Sequence, residues 1–84
     1  MPSARKILAK ILAGSKNIRF ADFIKVVEAV GFELKRIRGS HHIYKHPDVA
    51  ALLSLQPDSN NQAKRYQIKQ LLTLVEEHNL QLED

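Results

Sequence analysis

Three of the four histidines in this 84-residue chain fall within six positions: His41, His42 and His46, in the stretch GSHHIYKHP, residues 39 to 47. The basic residues Lys35, Arg36 and Arg38 come just before them. Imidazole changes charge near neutrality, so a His beside cations is equipped to move a proton at an anionic centre. Two other uses compete with that one, a metal site and a strand that is merely rich in His. Strand alternation puts His41, Ile43 and Lys45 on one face and His42, Tyr44 and His46 on the other. Only His42 and His46 would then share a metal. The chain has no Cys and the run holds no carboxylate, whereas zinc takes three or four protein ligands. His42 and His46 therefore read as structural, and no metal is expected.

Charge narrows what an imidazole here would meet. Residues 1 to 75 hold all 13 Lys and Arg against five of the nine acids, while the last nine residues hold Glu76, Glu77, Glu83, Asp84 and no base. Such a body attracts polyanions, with nucleic acid first among them. The absence of Cys excludes disulfides, thiolate nucleophiles and Cys-ligated clusters. No apolar run approaches the roughly 20 residues of a membrane span, and the N-terminal segment lacks the unbroken apolar stretch of a signal peptide. A cytoplasmic protein with no membrane partner is expected. Glu76, Glu77 and His78 do not have metalloprotease spacing and read as solvated charges.

The elements that must position the His-rich run follow from hydrophobic period. Ile7, Leu8, Ile11 and Leu12 mark a short amphipathic helix over residues 3 to 13, opened by Pro2 and closed by Gly14. GSKNIR reads as a loop or hinge, so residues 1–17 form a helical extension and 18–84 the main domain. Phe20, Phe23, Ile24, Val27 and Val30 share one helical face, with Gly31 as the stop. FELKRIR and HHIYKH are rich in β-formers and are joined by Gly39-Ser40, a two-residue hairpin loop. A third strand, ALLSLQ, ends at Pro57, and Ile68, Leu71, Leu72 and Val75 mark a last helix of about four turns. The expected class is α+β: helix, three-stranded antiparallel sheet, helix, with one extra N-terminal helix. Both main helices can cover one sheet face, leaving the other open to a ligand.

These residues resemble the HicA family of type II toxins. The likeness rests on a helix ending in Gly-Phe (GFELKRIR), a basic first strand, then Gly39, Ser40, His41, His42, Ile43 and Tyr44, closed by His46-Pro47. It covers about residues 20 to 80. The resemblance implies a fold like the double-stranded-RNA-binding domain (dsRBD-like), cleavage of mRNA with translational arrest, and a HicB-type antitoxin that occludes the active site. It also implies that His41, the His after Gly-Ser, is catalytic, and that His42 stands where members vary. Many members continue the third strand into Pro-x-His and open the last helix with Gly-Thr-Leu. This chain instead has LSLQPDSNN followed by Lys64, Arg65, Tyr66 and Gln67, and the helix over residues 3 to 13 is additional to the family core.

RNA carries its own nucleophile, the 2′-OH, so cleavage needs only proton movement and neutralised phosphate charge. His41 would be the main acid–base group of a metal-independent endoribonuclease, leaving a 2′,3′-cyclic phosphate and a 5′-hydroxyl. Gly39 would let a phosphate approach, and Ser40 would donate to a phosphate oxygen. Arg36, Arg38 and Lys45 would stabilise the charge developing on phosphorus. Lys64 and Arg65, with Lys69, form either a solvated face or a phosphate clamp. Their unfavourable placement at a helix N-terminus tilts the choice towards binding. Tyr44 is either a sheet packing residue or a base-stacking platform. A non-catalytic RNA-binding or antitoxin-binding module is the rival reading. A DNA-binding regulator fits less well, because three strands separate the helices.

Overall fold

The computed structural model describes residues 3–83. Its elements are α1 (Ala4–Leu12), α2 (Phe20–Ala29), β1 (Glu33–Arg38), β2 (His41–His46), β3 (Val49–Leu55) and α3 (Arg65–His78). The strands form one antiparallel sheet in the order β1-β2-β3. This is an α+β fold.

Pro2, read as the opening of the first helix, lies outside the described residues, as does Asp84. The cap is Ser3, whose hydroxyl oxygen accepts the Lys6 N–H at 3.2 Å. Ala4, Ile7 and Ile11 form the buried stripe of α1 and join the same core as the rest of the chain. Leu12, expected on that face, is 67% exposed. It lies one residue, or about 100°, past Ile11, and α1 is too peripheral to bury so wide a band.

GSKNIR is a loop, and its C-terminal end is tied to the rest of the fold. Ile18 is buried, its carbonyl accepts the Ala63 N–H at 2.8 Å, and Phe20 N–H donates to Asn61 O at 3.0 Å. Arg19 and Gln62 form an antiparallel bridge between those two bonds. The Asp58 carboxylate shapes the opposing loop by accepting the Asn60 and Gln62 N–H groups at 2.8 and 2.9 Å. The segment is thus stitched to the turn that leads into α3.

In α2 the buried residues are Phe20, Phe23, Val26 and Val27, followed by Val30. Val26 is more deeply buried than the expected Ile24 because α2 packs against α1 as well as facing the sheet. The sheet contributes Tyr44, Val49, Leu53 and Leu55 to the core, and α3 adds Leu71. The buried Gln67 side chain accepts the Gln56 N–H at 3.2 Å and so fastens α3 to the end of β3. All six residues of β1 are exposed, so this edge strand reaches past the helical layer.

Candidate nucleic-acid interface

The hairpin that presents His41 closes on the Arg38–His41 pair. Gly39 has φ +60° and Ser40 is not in the positive-φ region, the sign pattern of a two-residue turn with Gly at its first central position. Space alone does not demand the glycine, since a Cβ there would meet nothing within 4 Å. The backbone angle does.

Register then decides which side chains share a face. Arg38 pairs with His41, Arg36 with Ile43, and Ile43 in turn with Ser54. Directly paired residues point to the same side, with Cβ atoms about 5 Å apart. Arg36, Arg38, His41 and Lys45 therefore stand together on the sheet face that carries no helix. Strict alternation along β1 would have put Leu34 on that face as well. An irregularity between Leu34 and Arg36 shifts the register instead, so that Leu34 pairs with the buried Tyr44 while Arg36 still points outward.

His41 is exposed, and its Nδ1 lies 3.4 Å from the Ser54 hydroxyl, a long contact that orients the ring loosely. Its Nε2 has no protein partner among the described residues. Ser54 was not singled out from the sequence; it is 13 residues from His41 and only the β2–β3 register brings the two together. Arg36 and Arg38 have no acidic partner among the described residues, whereas Lys45 stands directly across the register from Glu33. The nearby Lys35–Glu33 pair, at 3.9 Å and well exposed, adds little stability. The face thus presents Arg36 and Arg38 without ion-pair partners beside one accessible imidazole, with Glu33 opposite Lys45 further along the strands.

The other half of the His-rich run faces inward. The His42 ring packs on Phe20 with centroids 5.3 Å apart, and its Nδ1–H donates to Ser40 O at 3.1 Å. His46 is buried; its Nδ1 accepts the Asp48 N–H at 3.0 Å, so the proton is on Nε2, which donates to Val30 O at 3.1 Å. Its ring meets Phe32 edge-on at 5.2 Å. Each inward His is occupied separately. Among the described residues no group of three or more His, Asp or Glu is placed to hold a metal ion.

Tyr44 is corrected as a stacking platform. It is 2% exposed, on the helix-facing side of β2, and offers no ring face to a base. Burial, with a smaller contribution from Glu28, raises its hydroxyl above the ordinary pKa of 10.0. Lys64 and Arg65 stand apart from the His41 face, at the start of α3, where no side chain caps the helix. They are nevertheless at the same end of the sheet. Gln56, tied to Gln67, directly follows Leu55, which pairs with His42.

A family model described as the HicA toxin of bacterial toxin–antitoxin systems matches residues 20–76, from the start of α2 to near the end of α3. Helix α1 lies outside that match. No curated protein and no solved structure matches the chain.

Proposed function

The chain belongs to the HicA family of bacterial toxin–antitoxin toxins, and from that membership we propose that it is a metal-independent endoribonuclease that cuts mRNA in the cytoplasm. Toxins of such pairs act opposite an antitoxin, and for this chain we assign a HicB-type protein that covers the open sheet face. No described helix is long and apolar enough to cross a membrane.

One observation carries the reading: the register gathers His41, Arg36, Arg38 and Lys45 on the solvent-open face, while His42 and His46 turn into the core. Neutral His41 takes the 2′-OH proton as the 2′ oxygen attacks phosphorus. The P–O5′ bond breaks and the 5′ oxygen takes a proton from solvent, leaving a 2′,3′-cyclic phosphate and a 5′-hydroxyl. Arg38, directly opposite His41, and Arg36 next along β1 hold the phosphate oxygens by charge-assisted hydrogen bonds. Gly39 sets the turn that points β2 outward, and Ser40 offers a hydroxyl beside the same phosphate. With a single imidazole on the face, acid–base catalysis supplies about 10²–10⁴-fold and the enzyme is slow.

That His41 is the one imidazole on this face among the described residues also favours the rival reading, a binding module that holds RNA without cutting it. Inducible expression of wild type and His41→Ala in a bacterial host separates the two. The ribonuclease halts growth and fragments several mRNAs, and the variant, at equal soluble level, does neither. Intact mRNA under wild-type expression would transfer the assignment to the binding module.

A further inference from the structure

Helix α1, outside the family match, builds with α3 a groove that the catalytic face does not include. The groove has a volume of about 390 Å³, with Ile11, Ile68 and Leu72 on its apolar floor and Arg65, Tyr66 and Lys69 at its rim. Tyr66 is 63% exposed, an unusual position for an aromatic ring in a chain with only five. The ring is held in place: the buried Gln67 Nε2–H donates to the Tyr66 hydroxyl at 3.2 Å, and Gln67 is itself bonded to the backbone after β3.

An apolar slot, an exposed and pre-positioned aromatic ring, and two cations without acidic partners among the described residues make one chemical pattern. Bases stack on such rings while Arg and Lys follow the backbone phosphates. We infer that the α1–α3 groove, with Tyr66 as its stacking platform and Arg65 and Lys69 as phosphate contacts, binds a nucleotide of single-stranded RNA flanking the cleavage site. This rests on the ribonuclease reading for its ligand. It adds a subsite to which α1 contributes Ile11 and the turn after it Gly14 and Ser15, connected to His41 through the end of β3 and the Gln56–Gln67 bond. A partner segment of neutral apolar character would leave the two cations without a role, which is why the RNA strand is the occupant chosen.

The test is the affinity of a short single-stranded RNA carrying 2′-O-methyl groups throughout, which binds but cannot be cut, measured by fluorescence anisotropy. The proteins are wild type, Tyr66→Ala, Tyr66→Phe and the double variant Arg65→Gln/Lys69→Gln. Stacking on one base predicts binding weakened about 5- to 150-fold in Tyr66→Ala. Tyr66→Phe keeps the ring but loses its bond to Gln67, so it falls between wild type and Tyr66→Ala, and the double variant flattens the salt dependence. The double variant should melt close to wild type, because Arg65 and Lys69 lie at the surface; both Tyr66 variants remove the acceptor of the buried Gln67 amide, so they melt somewhat lower and affinities are compared at a temperature where every protein is folded. If wild type binds the RNA and Tyr66→Ala binds it equally well, the groove serves another partner and the inference falls while the ribonuclease reading stands. If Tyr66→Phe loses as much as Tyr66→Ala, the retained ring contributes nothing to binding and stacking is wrong. If wild type does not bind the RNA at all, both readings fall together.

Discussion

Replacing Gly31 by Ala tests whether the Gly-Phe and His-Pro ends of the family-like motif are scaffold. Gly31 has φ +104°, a region that L side chains rarely adopt, and an added Cβ would lie 2.7 Å from His46 Nε2. Forcing a side chain into a sparsely populated backbone region costs about 1–3 kcal/mol. Pushing the His46 ring away also breaks its bond to Val30 O and leaves a buried carbonyl without its donor, for about 1–3 kcal/mol more. The total of about 2–6 kcal/mol is a large share of a small domain's stability, and at about 4–8 °C per kcal/mol it lowers Tm by about 8–48 °C. Urea and thermal unfolding followed by far-UV circular dichroism measure it. In a His46→Ala background the clash is absent and the cost of Gly31→Ala falls to the backbone part. A loss below about 1 kcal/mol in the wild-type background, or an equal loss in both, would refute the contact between Gly31 and His46 as the reason for the glycine.

Two further outcomes follow from the site. Arg38→Gln removes one phosphate contact beside His41, so RNA binding weakens across sequences and the slope of log K against log salt drops by about 0.7 in magnitude; an unchanged slope would remove Arg38 from the interface. Tyr44 has its pKa raised above 10.0 by burial and Glu28, so its contribution to stability is complete below pH 10 and is lost as pH rises through the folded-state value. Urea midpoints measured from pH 9 to 11 should fall more steeply for wild type than for Tyr44→Phe, and parallel curves would show that the phenol is not buried in solution.

The helices and strands were legible because their signals are local. Phe20, Phe23 and Val27 repeat at helical spacing, and Gly39-Ser40 sits between two β-rich runs. Ile18 was missed because a single apolar residue in a polar stretch has no period to betray it, and its burial depends on bonds to residues more than 40 positions away. Ser54 was missed for a similar reason: its approach to His41 exists only once β3 has paired with β2. Tyr44 was open between core and ligand because alternation shows that it opposes His41 and does not show which face the helices cover.

The irregularity in β1 shows how much of the site depends on a feature with no clear sequence mark. Leu34, Arg36 and Arg38 have the same parity, and in a regular strand all three would face the same way. With that register, either Leu34 would join the cations on the ligand side or the two arginines would turn towards the helical layer. The shift between Leu34 and Arg36 separates them: Leu34 pairs with Tyr44 and Ile37 with His42 on the helix-facing side, and Arg36 and Arg38 pair with Ile43 and His41 on the open one. The extra residue, Lys35, is exposed and can point into solvent at no packing cost. A bulge also bends and twists an edge strand, which discourages pairing with another sheet. The same irregularity therefore concentrates positive charge around His41 and protects the one strand that the helices leave bare.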